Sequence, residues 1–194
     1  MSLQMAMFAP KSEWVPPSDF PDLSNAKQIA IDLETRDPDL MQRGPGWPVK
    51  NGEVVGYAVA IDGWCAYYPV GHMGGGNLDR RLVENWIKRV CATDADKIFH
   101  NAQYDVGWLR AHGIEVNGRI IDTMVVASLL DENRRSFSLN SVAYDYLDKV
   151  KSEKDLIVAA REFGLDPKAE MWKLPAMHVG PYAQTDAELT LELW

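Results

Sequence analysis

Asp32 and Glu34 stand two residues apart in the run Ile29-Ala-Ile-Asp-Leu-Glu-Thr35. Side chains on a strand alternate between faces, so in a strand these two acids share one face, and Ile29, Ile31 and Leu33 the other. A strand this apolar is normally buried. Two neighbouring carboxylates in a buried place are costly unless they take up protons or meet a cation. The run therefore reads as half of a divalent-metal site. Two further patterns supply the rest. Asn101-Ala-Gln-Tyr-Asp105 sets Asn101 and Asp105 four apart on one helix face, just past a strand end, where sites in α/β proteins collect. Tyr182-Ala-Gln-Thr-Asp186 does the same with a phenol and a carboxylate. Four acids and a tyrosine suit phosphodiester hydrolysis with two hard cations, Mg²⁺ or Mn²⁺, which take oxygen ligands. One ion makes a nucleophile of its bound water and the other holds the leaving oxygen, ~3.5–4 Å away. A tyrosine hydroxyl can orient that water.

The elements that must position these residues follow from periodicity. Residues 28–34 read as a strand, and residues 36–52 as a loop rich in Asp, Pro and Gly that ends on the Asn51-Gly52 turn signal. Val54–Ile61 and Trp64–Val70 form a hairpin about Asp62-Gly63. Asn77 is placed to cap a helix running to about Cys91, with Leu82, Val83, Trp86, Ile87 and Val90 as its apolar stripe. Lys97–His100 reads as a strand. Asn101 then opens a helix that turns Tyr104, Trp108 and Leu109 inward and stops at Gly113. Ile120-Ile121 is a fifth strand, and Asp122 or Thr123 caps a helix through Leu130. Leu139–Leu147, Ser152–Phe163, a Pro-interrupted stretch at 167–177 and Pro181–Trp194 read as helical. The order predicts an α/β protein. Its mixed five-stranded sheet has three antiparallel strands plus two parallel ones, with helices on both faces.

Composition sets the limits. The 194 residues suffice for one domain with a proper core; 46% are hydrophobic, yet no apolar run approaches the ~18 residues of a membrane span. The first residues lack the pattern of a signal peptide. Cys65 and Cys91 are too few for a disulfide framework or zinc site and read as free thiols in a reducing cytosol. Net charge is −8, from 28 acids against 20 bases. A protein that grips nucleic acid through phosphates alone is normally basic. An acidic domain acting on phosphates needs metal ions for positive charge, and can depend on a neighbouring domain for affinity.

Asp32-Leu-Glu34, Asn101-x-x-x-Asp105 and Tyr182-x-x-x-Asp186, in this order, resemble the three motifs of the DEDD superfamily of 3′→5′ exonucleases. With Tyr182 the chain resembles the DEDDy branch; the histidine of the other branch would fall on Pro181. The runs Phe137-Ser-Leu-Asn-Ser-Val-Ala-Tyr144 and Gly180-Pro-Tyr-Ala-Gln-Thr-Asp186 resemble the proofreading domain of family A DNA polymerases of bacterial or phage type. The resemblance covers about residues 28–194. It implies an RNase H-like fold and removal of nucleotides from the 3′ end of single-stranded DNA, in a bacterial cytoplasm or that of a phage host. It implies a domain at 28–194 behind an extended lead-in at 1–27, as a fragment of a larger protein with a C-terminal polymerase domain. It also implies roles. Asp32 would bridge two divalent ions. Glu34 and Asp186 would complete the tighter site, and Asp105 would hold the second ion through water. Tyr182 would position the nucleophilic water, with Asn101 in support. Thr35 is a further candidate contact to substrate. An RNA exonuclease of the RNase D kind shares this residue set, and a domain that only binds nucleic acid is the non-enzymatic alternative.

Other residues carry weaker signals. Trp47, with Arg43 and Lys50, can stack on single-stranded bases and meet phosphate, or can pack its own loop. Asp122 reads as a cap, Asp37 and Asp39 as loop carboxylates, and Arg134 with Arg135 as a solvated basic spot. Met171-Trp172 either walls the substrate cleft or packs. His72, His100, His112 and His178 show no metal-ligand spacing.

Overall fold

The structure, a computed structural model, describes residues 12–194; residues 1–11 of the expected lead-in lie outside the described residues. The central strand is β1 (Gln28–Arg36). Its alternation is the expected one. Ile29, Ile31 and Leu33 enter one core cluster, and Ala30 enters the other. The loop after β1 is less irregular than expected. It holds a one-turn helix α1 (Leu40–Arg43) and a 3₁₀ turn at Trp47–Val49. Next come β2 (Glu53–Ile61), antiparallel to β1, and its hairpin partner β3 (Trp64–Pro69), antiparallel to β2. Opposite Glu34 the ladder slips by one residue, a bulge beside the site. Helix α2 (Arg80–Ala92) leads to β4 (Asp96–Phe99), and α3 (Ala102–Ala111) to β5 (Ile120–Asp122). Both of these strands run parallel to β1, in the sheet order β3-β2-β1-β4-β5.

Helices close both faces. Val83, Trp86, Ile87 and Val90 of α2 pack with Trp108 and Leu109 of α3 against Ile29, Ile31 and Leu33. After β5 the chain is helical: α4 (Thr123–Leu130), α5 (Leu139–Leu147), α6 (Lys154–Glu162) and α7 (Ala176–Glu192). On this second face Ala30, Ala58 and Ala60 of the sheet meet Val179, Ala183 and Ala187 of α7. Small residues on both sides let the α7 backbone approach the sheet closely. That approach brings short carboxylate side chains of β1 and α7 within reach of one another.

Several boundaries differ from the sequence reading for local reasons. The cap of α2 is Asp79, whose side chain accepts from the Leu82 N–H; Asn77 instead bonds the backbone of His72. Leu82 is exposed and leaves the apolar stripe. Helix α7 begins five residues before Pro181. A proline there removes the donor for the Met177 carbonyl, and Ser12 Oγ donates to that oxygen at 2.7 Å. Residues 12–27 form no helix or strand but seal the core: Phe20 stacks on Tyr68 at 5.4 Å between ring centroids, and Leu23 is buried.

Candidate active site

Asp32 on β1 is half-buried, and Glu34 on β1 and Asp186 on α7 are buried. One carboxylate oxygen from each lies within 4.8 Å of the others. Asp105, on α3, stands beside this cluster rather than in it, near enough to feel the Asp32 charge. Strand β4 pairs with β1 only at Gln28–Ala30. Beyond it the Leu33 N–H is free, and Asp105 Oδ1 accepts from it at 3.1 Å. The carboxylate takes the position a longer β4 would have filled.

All four acids are strained electrostatically. Burial pushes Asp32 up to about 7, with the neighbouring Asp186 charge adding to it. Burial first, then Asp32 and Asp186, holds Glu34 well above the usual carboxylate range. Asp105 is raised by burial and by Asp32. Asp186 is raised by burial against the pull of Lys151. Asp186 Oδ1 is buried and has no hydrogen-bond partner. Crowded, desolvated carboxylates with an orphaned oxygen make an all-oxygen donor set, which fits a hard divalent cation.

Tyr182 stands one turn before Asp186 on α7. Burial, then the charges of Asp186, Glu34 and Asp32, keeps its phenol far above its ordinary value, so it stays protonated at any working pH. Lys151 was not foreseen. It sits in the segment between α5 and α6, is buried, and pairs its ammonium with Asp186 Oδ2 while lying 3.2 Å from the centroid of the Tyr182 ring. Nothing in the polar run Asp148-Lys-Val-Lys-Ser-Glu-Lys154 distinguishes it from its neighbours. Behind Glu34, across the ladder, Gly56 leaves room for the buried Tyr67; a Cβ there would lie 2.0 Å from its hydroxyl. Tyr67 bonds His72 Nε2 at 2.6 Å, and burial lowers that imidazole to about 4, so it is neutral.

Other candidates are exposed or engaged in other contacts. Asn101 has a left-handed backbone (φ +77°) and an exposed side chain that makes no cap bond, so it does not share a helix face with Asp105. Thr35 Oγ1 is committed to the Tyr104 hydroxyl at 2.7 Å, which in turn donates to Asp37 at 3.1 Å. Trp47 packs on α3: a Cβ at Gly107 would lie 2.4 Å from its indole. Asp122 caps α4 and also accepts from the Asn101 and Ala102 N–H groups at 3.0 and 2.8 Å, joining two helix starts. Arg134 is no solvated spot. It pairs with Asp145 at 2.7 Å and covers the Tyr146 ring. Trp172 lies under Arg36, 4.9 Å from its guanidinium carbon.

Comparison with known proteins agrees with this geometry. A family model described as 3′-5′ exonuclease matches residues 20–194. A DNA-directed DNA polymerase of Pseudomonas phage M6 is 38% identical over 189 residues, 94% of this chain and 28% of the polymerase. DNA polymerase I of Pseudomonas aeruginosa is 29% identical over 180 residues, 88% of this chain and 18% of that protein. The chain thus spans little more than a quarter, or less, of these relatives. Among solved structures, Brucella melitensis NrnC with bound Mg²⁺ superposes with a TM-score of 0.58 at 18% identity, covering 89% of this chain and 73% of that one. The catalytic core of RRP6 from Trypanosoma brucei gives 0.58 at 21%, covering 88% and 40%. These likenesses show the RNase H-like fold. By its motifs, its sheet and the match over residues 20–194, the chain belongs to the 3′-5′ exonuclease domain family of family A DNA polymerases.

Proposed function

We propose that this chain removes nucleotides one at a time from the 3′ end of single-stranded DNA, as the proofreading domain of a DNA polymerase. The observation that carries the reading is the convergence of Asp32, Glu34 and Asp186 within 4.8 Å, with Asp105 against the same strand. Asp32, Glu34 and Asp186 would hold one divalent ion, and Asp32 with Asp105 a second, Mg²⁺ or Mn²⁺. Bound there, such ions supply an activated water and neutralise charge on the leaving oxygen. The protein's own part is positional. Burial makes the four acids bind cations in preference to staying bare anions. Tyr182, held protonated, donates or accepts a hydrogen bond and orients the attacking water rather than acting as its base. A proofreading role is supported by the relatives, which are polymerases several times longer than this chain.

RNA is the alternative substrate, since the same set of acids and tyrosine resembles that of RNA exonucleases of the RNase D kind. The motifs themselves carry no reader of the 2′-hydroxyl, the group that tells RNA from DNA. The test is degradation of 5′-labelled single-stranded DNA and RNA of one sequence, side by side with Mg²⁺. The account predicts a ladder shortening from the 3′ end, faster on DNA. Preference for RNA, or cleavage within the strand, would refute it.

A further inference from the structure

The carboxylate cluster already contains a cation. Lys151 pairs with Asp186 Oδ2, and the two side chains are only 4% and 9% exposed. Its charge pulls against burial at Asp32, Glu34 and Asp186 alike. Its ammonium also rests on the face of Tyr182, so it touches both functional side chains of α7. A divalent ion held by Asp186 would sit within a few ångströms of that ammonium. Like charges so close repel strongly wherever water is excluded. We propose that Lys151 is a built-in competitor for the metal site: its ammonium neutralises Asp186, and a divalent ion must displace it to bind. This rests on the reading that Asp32, Glu34 and Asp186 hold a metal.

The segment that carries Lys151 is built for such a displacement. From 148 to 153 it forms no helix or strand, and Asp148, Lys149, Val150 and Ser152 are exposed while Lys151 alone is buried. Its flanks are pinned: Lys149 pairs with Glu192, and Glu153 accepts from Asn140 Nδ2 at 3.0 Å. A four-carbon stem with a strongly hydrated head can swing to water from such a place without moving a helix. The charges also balance. Two divalent ions match Asp32, Glu34, Asp105 and Asp186, which leaves the displaced ammonium without a carboxylate partner in the site.

The test measures Mn²⁺ binding by calorimetry on the full chain, for wild type, Lys151→Met and Lys151→Arg, with no nucleic acid present. Removing the competitor should lower the Mn²⁺ dissociation constant about tenfold or more in Lys151→Met, while Lys151→Arg stays near wild type. A second measurement needs no variant. Amine acetylation read by mass spectrometry should find Lys151 protected in EDTA and as reactive as the exposed Lys154 in saturating Mn²⁺. Equal or weaker Mn²⁺ binding by Lys151→Met, or Lys151 reactivity unchanged by Mn²⁺, overturns the proposal and leaves the metal site standing. Absence of Mn²⁺ binding by wild type overturns both.

Discussion

At the scale of single residues, the site is a set of acids kept from their ordinary ionisation. Asp32 has a folded-state pKa of about 7 against a usual 3.8. Between those values the folded protein binds more protons than the unfolded chain, so this group's contribution to stability falls as pH rises. Glu34 and Asp105 are shifted the same way. His72 works in the opposite sense: lowered from 6.5 to about 4, it adds stability as pH climbs through that window. Its effect cancels when melting temperatures with Mn²⁺ and with EDTA are subtracted at each pH. That difference should grow from pH 5 to pH 8; a difference that shrinks or stays flat contradicts the assigned shifts. Under the proposed role, in which the phenol orients water and is not a ligand, Tyr182→Phe should slow hydrolysis roughly tenfold to a hundredfold while leaving Mn²⁺ affinity within about twofold. The gathering of Asp32, Glu34 and Asp186 was legible through the motifs, and period 2 on a strand fixes that the first two share a face. The placement of Asn101 was not: its left-handed backbone takes it out of the helix whose face it was expected to share. Lys151 is brought in by a long-range contact across 35 positions, which no local pattern marks.

At the scale of elements, packing decides where each acid points. Asp122 joins the starts of α3 and α4 through backbone N–H groups of both. Asp122→Ala should therefore cost about 1–2 kcal/mol in denaturant unfolding, the upper range for one cap. Gly107 lets the Trp47 indole lie flat on α3. Gly107→Ala should destabilise by about 1–3 kcal/mol despite alanine's better helix propensity, and that penalty should mostly vanish in a Trp47→Ala background. Additive effects would mean that the two do not touch. The strands, their pairing directions and most helices were legible, because alternation and helical stripes are local signals. The start of α7 was not, because Pro181 reads as a boundary. Its cost is met by Ser12, which lies 165 positions away. The helix bounds near Asn77 shifted because two capping residues, Asn77 and Asp79, compete within one short stretch, and side-chain contacts with His72 decide between them.

At the scale of the whole molecule, the acidic balance of −8 limits how the protein can hold a polyanion. Single-stranded DNA binding by this chain should be weak and should depend shallowly on salt, with a log–log slope of about −2 or less in magnitude, because a net charge of −8 disfavours phosphate contacts. A steep slope would contradict this expectation. Among the described residues no helix is long and apolar enough to cross a membrane. The central claim is that acids distant in sequence gather to hold divalent cations at a scissile phosphate. Its most direct measurement is hydrolysis of 5′-labelled single-stranded DNA by wild type and Asp32→Ala, each in Mg²⁺ and in EDTA. The account predicts activity only for wild type in Mg²⁺, with Asp32→Ala slower by about a thousandfold or more. Comparable activity in Asp32→Ala, or in EDTA, would contradict it.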